Sequence, residues 1–596
     1  NNRYYKMLKI ENKADIFHYR ALLFILCFSL FSLLGRYFYL QVIDYERHIS
    51  KSQVNSVKAL TTYAPRGLIL DRHGEILVNN YPTYILTVIP HELKDKDREF
   101  EKLSSIINID IEELNRRYKK YYRGRFLPTT IAKNLTFQQI SQIEEMRLEF
   151  PGVQYDRSDE RIYSPILNDA HFLGYLREVD RDTIPKLDKS LLYRAGELIG
   201  WQGIEKEYEK ELRFSKGVDY IEVDTYGREI FRLSDSNIPA FPGKDLSLTI
   251  DANLQRFSRS ILQGKKGSVL VSNVDTGEVL SMVSSPSYDL SVYRGTTSQN
   301  EWNDLLTNKD NPLLNRSIAG LYPAGSKLKL ITVIDLIANS LVDPSDSLMC
   351  TGVYIPPGST NEFRCWNENG HGLVNLNKAI AQSCNIYFYE TVQLISLKDW
   401  TDTAKKFGFN EPTNIDLPNE KDGLIPDKDF YIKNYGRWGW SERGVLLNLT
   451  LGQGDILITP IQALRFINHI ASRGETPQLR LNLSKEISYY DKIEYPEKIW
   501  DHIWDGMYDV VNADQGSGWR AQLDSSDIKL LGKTSTAENP HGEPHAWFIG
   551  FFDFQDTTYS IVVMVENGGG GGAIASPIAG DIVEYYINSS KSLAEN

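Results

Sequence analysis

Cysteine and histidine are scarce in this sequence, and basic residues are fewer than acidic ones. The 596 residues include 4 cysteines and 10 histidines, and the formal net charge is -12. So few cysteines exclude a scaffold built on many disulfides. The acidic balance argues against nucleic acid as a partner, because phosphate binding needs a basic face. The apolar fraction of 41% is ordinary for globular proteins, and the length predicts several domains.

One long apolar run lies near the N-terminus. Residues 21–34 carry no charge, and aromatic and aliphatic residues extend the run to Ile43. We predict a transmembrane helix over 17–43, after a cytoplasmic tail over 1–16. A cleaved signal peptide is the competing interpretation, but the segment lacks a small-residue cleavage site. Basic residues precede the run, which predicts that the N-terminus is cytoplasmic and the rest is outside: Arg3, Lys6, Lys9, Lys13 and Arg20.

Beyond the membrane helix the chain changes character at a Pro/Gly break near residue 242. The part over 44–245 alternates like strands and predicts a mainly β pedestal, into which a charged, helical head is inserted over about 92–165. In the part over 246–596, strands at both ends enclose a largely helical middle. This predicts an α/β or α+β domain whose first and last strands meet. The glycine run over 568–572 is expected to form a flexible loop.

Three short patterns in the last part could carry chemistry. Ser326 and Lys329 are three residues apart at a predicted helix start, which puts a hydroxyl and an amine on one face. A serine needs a neighbouring base to become a nucleophile, and a partly desolvated lysine can be that base. Ser383-Cys-Asn385 lies in a helix-like run, and Lys533 on a predicted strand suits a carboxylate. Each pattern alone is common, but their combination predicts an active site.

Taken in this order, the three patterns resemble the motifs of the class B penicillin-binding proteins, and of the elongation type among them. The resemblance extends over nearly the whole chain. Further segments carry it: Arg66-Gly-Leu-Ile-Leu-Asp-Arg-His-Gly74, Gly203-Ile-Glu205 with Tyr208 and Leu212, and Gly452-Gln-Gly454 with Thr459-Pro460. The resemblance implies an α/β (α+β) penicillin-binding transpeptidase domain on a mainly β pedestal with a helical head, together with one N-terminal transmembrane helix.

The resemblance implies a serine-type D-Ala-D-Ala transpeptidase. Such an enzyme cross-links peptidoglycan stem peptides through a serine acyl-enzyme during cell-wall elongation, and β-lactams inhibit it. Ser326 would be the acylated nucleophile, Lys329 its general base and Ser383 the relay that carries a proton to the leaving amine. A division-type relative, a catalytically impaired scaffold and a β-lactam sensor are the alternatives on the same fold.

The remaining motif residues would bind the substrate. By the resemblance, Asn385 would bond the peptide backbone of the stem peptide, while Lys533, Thr534 and Thr536 would hold its terminal carboxylate. The backbone N–H groups of Ser326 and Thr536 would form the oxyanion hole.

One position departs from the family pattern. The third motif reads Lys-Thr-Ser, so Ser535 stands where the family normally has glycine. Glycine lets a substrate or a helix approach the backbone closely. Two interpretations follow: a tolerated change with slight adjustment of the strand, or an active site with altered acylation or β-lactam affinity.

Three of the four cysteines lie close together with a histidine in the sequence. Cys350, Cys365, His371 and Cys384 have the spacing C-x14-C-x5-H-x12-C, which suits tetrahedral zinc. One disulfide plus a free thiol is the alternative in an oxidising compartment. The resemblance supports zinc, because some elongation-type members carry a zinc site beside the second motif. The metal would be structural, and the acyl transfer itself needs no cofactor.

The resemblance also implies partners and a location. No glycosyltransferase domain is visible between the predicted membrane helix and Ser326, so glycan polymerisation would come from a polytopic membrane glycosyltransferase, with other proteins of the elongation complex. The protein would cross the inner membrane of a bacterium once, with its catalytic domain in the periplasm.

Overall fold

The computed structural model describes most of the chain: residues 2–46, 57–122, 124–164, 169–223, 229–233, 236–293, 299–525 and 527–595. They form two compact units. The first unit comprises Asn1–Ala64, Gly124–Leu127 and Phe214–Pro242, and the second comprises the remaining residues. The domain boundaries given above stay predictions.

The helices and strands of both units are numbered in chain order. The helices are α1 Asn2–Phe38, α2 Lys96–Ile107, α3 Ile111–Tyr121, α4 Phe137–Glu145, α5 Ala170–Leu173, α6 Gly203–Glu207, α7 Glu209–Leu212, α8 Ala252–Ile261, α9 Gln299–Thr307, α10 Arg316–Ala319, α11 Lys329–Ala338, α12 Leu376–Ala381, α13 Asn385–Thr391, α14 Leu397–Lys406, α15 Lys428–Tyr435, α16 Glu442–Thr450, α17 Pro460–Ala471, α18 Glu497–Asn512 and α19 Ser576–Glu595. The strands are β1 Val57–Thr62, β2 Ile69–Leu70, β3 Ile76–Val88, β4 Thr129–Leu135, β5 Val153–Tyr163, β6 Leu176–Glu178, β7 Leu198–Gly200, β8 Gly217–Val223, β9 Glu229–Arg232, β10 Leu246–Ser247, β11 Gly267–Asn273, β12 Val279–Ser285, β13 Leu348–Cys350, β14 Val353–Tyr354, β15 Phe363–Arg364, β16 Gly372–Val374, β17 Leu530–Ala537, β18 His545–Phe554 and β19 Thr557–Val565.

The first unit holds a long N-terminal helix and a small sheet. Helix α1 continues as a π-helical turn, Tyr39–Ile43. Within these residues, Ile16–Ile43 has a mean hydropathy of 1.9 and is not buried by the protein. A helix of this length and composition can cross a bilayer. The sheet is antiparallel with the order β1-β8-β9.

The early part of the second unit is a five-stranded sheet with helices packed on it. Its order is β10-β2-β3-β4, and β5 pairs with β3 along eleven residues, from Val78 to Val88. Helices α2, α3 and α4 bury their apolar faces against β3 and β4 in a separate core. The core includes Leu86, Val88, Phe100, Leu103, Leu114, Ile131 and Ile140. Side-chain caps at Asp95, Asp110 and Thr136 begin these helices by accepting backbone N–H groups.

The motif residues of this early part form a buried ionic network. The guanidinium of Arg66 lies 2.7 Å from a carboxylate oxygen of Glu205, and the guanidinium of Arg161 lies 2.7 Å from the other oxygen. All three side chains are nearly inaccessible to solvent, so each charge depends on its partners. The hydroxyl of Tyr208 donates to Asp416 at 2.6 Å. These contacts give the motif residues a structural role.

The later part is built on a second five-stranded sheet, which is antiparallel throughout and has the order β12-β11-β19-β18-β17. Gly267 at the start of β11 pairs with Val565 at the end of β19. The prediction that the first and last strands of this part meet is therefore confirmed. Helix α17 is buried along its whole length, and α11 along all but its last residue. Strand β17 lies at one edge of the sheet.

The glycine run after β19 is irregular over 568–570, as expected of a loop, but its end departs from that expectation. Gly571 begins a π-helical turn, Gly571–Ala575, and is buried behind β17. A Cβ atom on Gly571 would lie 2.3 Å from the carbonyl oxygen of Ser535 and 2.5 Å from that of Trp547. The expectation was wrong at Gly571 because this glycine serves close backbone packing, which composition alone does not distinguish from flexibility.

This packing predicts unequal effects for two neighbouring substitutions. Gly571→Ala should lower the free energy of unfolding by about 1–3 kcal/mol, because the added methyl overlaps two backbone carbonyls. Gly570→Ala is the matched control, since its Cβ would come no closer than 3.8 Å to Ala573 and its φ is -79°. Denaturant unfolding of the two variants measures the difference. Equal stability of both would contradict the packing described.

Candidate active site

Ser326 lies in a short 3-10 turn, Gly325–Leu328, which leads directly into α11. The sequence predicted a single helix start, whereas Ser326 is in the turn and Lys329 is the first residue of the helix. Gly325 has a φ of 65°, and a Cβ there would lie 2.2 Å from Ser535 Oγ. Its N–H donates to the carbonyl of Gly452 at 2.9 Å. Contacts on two sides therefore hold the turn that carries Ser326.

The amine of Lys329 is completely buried and has three oxygen partners. Its Nζ donates to Asn385 Oδ1 at 2.7 Å, to the Ser383 carbonyl at 2.9 Å and to Ser383 Oγ at 3.2 Å. Burial disfavours the ammonium form and lowers the pKa of Lys329 to about 8. A measurable fraction of this lysine is then free amine at neutral pH, and the free amine is the form that accepts a proton.

A second buried amine reaches the same hydroxyl from the sheet. Lys533 on β17 has no solvent exposure, and its Nζ donates to Ser383 Oγ at 3.0 Å and to the carbonyl of Thr534 at 3.0 Å. Burial, and to a smaller extent the charge of Lys329, lower the pKa of Lys533. Ser383 therefore joins two lysines from different parts of the chain. The residues predicted from the second and third motifs are brought together here.

Ser383 owes its position to a break between two helices. Helix α12 ends at Ala381 and α13 begins at Asn385, while Ser383 between them has a left-handed φ of 52°. The run was predicted as one helical stretch, and this is wrong because a left-handed residue ends a helix. The break turns both the hydroxyl and the carbonyl of Ser383 toward Lys329.

The two threonines of β17 have different surroundings. Thr534 is buried, and its Oγ1 shares a hydrogen bond of 2.7 Å with Ser517 Oγ. Thr536 is exposed, and its Oγ1 accepts the N–H of Gly571 at 3.1 Å. With Lys533, these hydroxyls give the strand edge the donors that a carboxylate needs.

Ser535 is accommodated without a change in the strand. Pairing between β17 and β18 runs from Leu530 opposite Phe552 to Ala537 opposite His545 with no bulge. The side chain of Ser535 is buried, and its Oγ donates to the carbonyl of Ala324 at 2.9 Å. The hydroxyl is therefore used inside the protein.

Comparison with known protein families agrees with this geometry. A family model described as the penicillin binding protein transpeptidase domain matches residues 267–584, more than half of the chain. The chain belongs to the penicillin-binding protein transpeptidase family. A second model, the penicillin-binding protein dimerisation domain, matches residues 61–248.

Individual penicillin-binding proteins extend the likeness over most of the chain. The peptidoglycan D,D-transpeptidase MrdA of Haemophilus influenzae is 30% identical over 578 residues, which cover 92% of this chain and 88% of that protein. The structure of penicillin-binding protein 2 from Helicobacter pylori in complex with MreC has a TM-score of 0.80 at 28% identity and covers 89% of this chain and 99% of that one. A third similar structure is described as "structural coordination of polymerization and crosslinking by a peptidoglycan synthase complex". Its TM-score is 0.71 at 26% identity, and the match covers 96% of this chain and 98% of that one. The resemblance to the elongation type, penicillin-binding protein 2, is confirmed.

Beside the second motif of this penicillin-binding protein, three cysteines and a histidine converge. The Sγ atoms of Cys350 and Cys365 each lie 3.5 Å from His371 Nδ1, and with Cys384 Sγ all four ligand atoms lie within 4.8 Å of one another. The three thiols are buried and are free of disulfides. The N–H of Asn385 donates to Cys365 Sγ at 3.4 Å, which connects this cluster to the second motif.

Some residues of the site were not found from the sequence. Ser517, which bonds Thr534, lies in an irregular loop after α18 and belongs to no motif. Gly571, which bonds Thr536, was assigned to the flexible run. Lys327, between the two motif residues Ser326 and Lys329, was given no role from the sequence, yet its side chain has no solvent exposure. In each case the missing information was which distant segment packs against the residue.

Proposed function

We propose that this protein is an elongation-type peptidoglycan D,D-transpeptidase, which cross-links stem peptides through an acyl-enzyme on Ser326. The observation that carries the proposal is the buried amine of Lys329. It lies three residues after Ser326, with Ser383 and Asn385 as hydrogen-bond partners and Lys533 on the far side of the Ser383 hydroxyl. The names of the curated relatives, peptidoglycan D,D-transpeptidases, support the substrate class.

The first step forms the acyl-enzyme. Lys329, as free amine, takes the proton of the Ser326 hydroxyl, and Ser326 Oγ attacks the carbonyl carbon of the D-Ala-D-Ala peptide bond. The N–H groups of Ser326 and Thr536 stabilise the oxyanion of the tetrahedral intermediate. Ser383 passes the proton from Lys329 to the leaving amine, the peptide C–N bond breaks, and D-alanine departs. An ester on Ser326 remains.

The second step transfers the acyl group to a second stem peptide. An amine of that peptide attacks the ester carbonyl, the bond to Ser326 Oγ breaks, and the proton of the amine returns to the serine. A new peptide bond is the cross-link. No electron transfer is involved, and serine acyl transfer needs no cofactor. β-Lactams acylate the same serine because their ring amide takes the place of the D-Ala-D-Ala bond.

The remaining motif residues bind the stem peptide. Asn385 would bond its backbone, and its amide currently reaches Lys329 through Oδ1 and the Arg364 carbonyl through Nδ2 at 3.2 Å. Lys533, Thr534 and Thr536 would receive the terminal carboxylate, with the hydroxyl of Ser517 orienting that of Thr534.

Zinc fits the cluster beside the second motif. Cys350, Cys365, His371 and Cys384 offer three sulfur atoms and one ring nitrogen from separate segments, at separations suited to a tetrahedral ion. Bound zinc would be structural. It would fasten the segment over 350–371 to the residue that precedes Asn385, and so hold the Ser383 turn against Lys329.

The apolar helix supports a single-pass anchor. The basic residues before the Ile16–Ile43 segment favour a cytoplasmic N-terminus and a periplasmic catalytic domain in the inner membrane. A polytopic membrane glycosyltransferase is the proposed partner, and the structural likeness to a peptidoglycan synthase complex supports it. The likeness to a penicillin-binding protein 2 in complex with MreC supports a further partner that resembles MreC.

Release of D-alanine tests the function. Full-length protein in a lipid bilayer should release D-alanine from a stem pentapeptide and form cross-linked product when an amine acceptor is supplied. Ser326→Ala should abolish both, since no other serine occupies that turn. Ser345→Ala is the control, because its hydroxyl is exposed and, in the described part of the chain, bonds only Asp343. Wild-type protein that neither releases D-alanine nor reacts with labelled penicillin would instead be a scaffold.

The buried base predicts a pH dependence of acylation. The pKa of Lys329 is lowered to about 8, so its proton-accepting form predominates above that pH and is lost below it. The rate of acylation by a β-lactam should fall about tenfold per pH unit below 8 and level off above it. Stopped-flow measurement between pH 6 and 9, with thermal unfolding as the check on integrity, gives the profile. A flat profile over a stable protein would contradict the assignment.

Metal analysis tests the zinc proposal independently of activity. Protein purified without chelator should contain about one zinc per chain. Cys365→Ser should lose the metal and lower the melting temperature, whereas Cys27→Ser, in the apolar N-terminal helix, should retain it. A disulfide between Cys350 and Cys365 found by mass spectrometry would overturn the proposal.

A further inference from the structure

Lys327 is a buried lysine that the mechanism above leaves unused. It follows Ser326 directly, and its side chain has no solvent exposure. Its Nζ donates a hydrogen bond to the carbonyl of Ala324 and lies 3.5 Å from the centroid of the Trp547 ring. Among the described residues no carboxylate pairs with this amine. Burying a lysine amine without such a partner costs stability, so simple filling of space does not account for it.

Ser535 donates to the same carbonyl oxygen from the other direction. Its Oγ lies 2.9 Å from the Ala324 oxygen, and Ser535 pairs across the sheet with Trp547, the residue whose ring lies against Lys327. A carbonyl oxygen accepts two hydrogen bonds through its two lone pairs. Lys327 and Ser535 therefore complete the bonding of this one oxygen.

The peptide group that they hold is also held at its other end. The Ala324 carbonyl and the Gly325 N–H belong to one planar peptide, and that N–H donates to the Gly452 carbonyl at 2.9 Å. This peptide immediately precedes the turn residue with the left-handed φ of 65° and then Ser326. Fixing its plane fixes the direction in which the chain enters the turn that carries the nucleophile.

We propose that Lys327 and Ser535 are positioning residues, which together fix the Ala324–Gly325 peptide and thereby orient Ser326 for acylation. The proposal rests on the proposed function, in which Ser326 is the nucleophile. It also explains how serine is used where the family pattern has glycine. The Ser535 side chain lies against Gly325, where a Cβ would be 2.2 Å from its hydroxyl oxygen, and it donates a hydrogen bond to the Ala324 carbonyl.

If the two residues only position Ser326, their substitution should slow acylation without weakening β-lactam binding or lowering stability. Lys327→Met keeps the length and apolar stem of the side chain and removes the buried amine. It should keep or raise the melting temperature, yet slow the acylation step about tenfold, as expected for one lost hydrogen bond. Ser535→Ala should slow it about as much. The apparent affinity for the β-lactam before acylation should stay unchanged in both, because both side chains bond the Ala324 carbonyl in the protein interior.

The double variant examines whether the two residues act on one group. Because both bond one oxygen, Lys327→Met with Ser535→Ala should slow acylation by less than the product of the two single effects. Ser268→Ala is the matched control: it is a buried serine of β11 in the same sheet, with its Oγ 2.9 Å from that of Ser317. This variant should acylate at the wild-type rate.

The experiment is stopped-flow acylation of the full-length protein by a chromogenic β-lactam, with the acylation rate constant and the apparent affinity resolved, and thermal unfolding in parallel. Slower acylation at unchanged affinity and undiminished stability supports the proposal. Single variants that acylate at the wild-type rate, or single effects that multiply in the double variant, overturn it while the proposed function stands. If the wild-type protein is not acylated at Ser326, the proposed function is ruled out, and so is this inference.

Discussion

The hydroxyl of Ser383 bonded by two buried lysines is the constraint on which the site depends. The amines of Lys329 and Lys533 lie 3.2 Å and 3.0 Å from this oxygen, and their partners in the described residues are neutral oxygen atoms. Two ammonium ions in such a place would repel each other without a nearby carboxylate to compensate. The arrangement therefore favours loss of a proton, and the free amine of Lys329 next to the Ser326 turn is what a serine nucleophile needs.

The fold serves this constraint by bringing three distant segments to one edge of a sheet. Strand β17 contributes Lys533, the start of α11 contributes Lys329, and the left-handed break between α12 and α13 contributes Ser383. The cluster of Cys350, Cys365, His371 and Cys384 lies directly beside that break. Zinc bound there would hold the break in place through Cys384. The turn that begins at Gly571 lies against β17, and Gly571 is too closely packed for a side chain.

The sequence carried much of this site because the chemistry depends on residue types at short spacings. Ser326, Lys329, Ser383, Asn385 and Lys533 could be found from three local patterns, and the structure brings the last four into one hydrogen-bonded group. The meeting of β11 and β19 followed from the order of strands and helices. Three features could not be found from the sequence: the burial of Lys327, the bond between Ser517 and Thr534, and the packing role of Gly571. Each depends on a segment more than fifteen residues away in the chain, and local pattern contains no information on such contacts. Ser535 was recognised as a departure from the family pattern. The partner of its hydroxyl, the Ala324 carbonyl, lies just before the turn that carries Ser326 and could not be predicted from the local sequence.

Identification of the acylated residue tests the central claim most directly. The full-length protein is incubated with a β-lactam at neutral pH, digested, and its peptides are examined by tandem mass spectrometry. The account predicts a single stoichiometric adduct on the peptide that contains Ser326, absent after Lys329→Met. An adduct on another residue, or an adduct on Ser326 that forms at the same rate without Lys329, would contradict it.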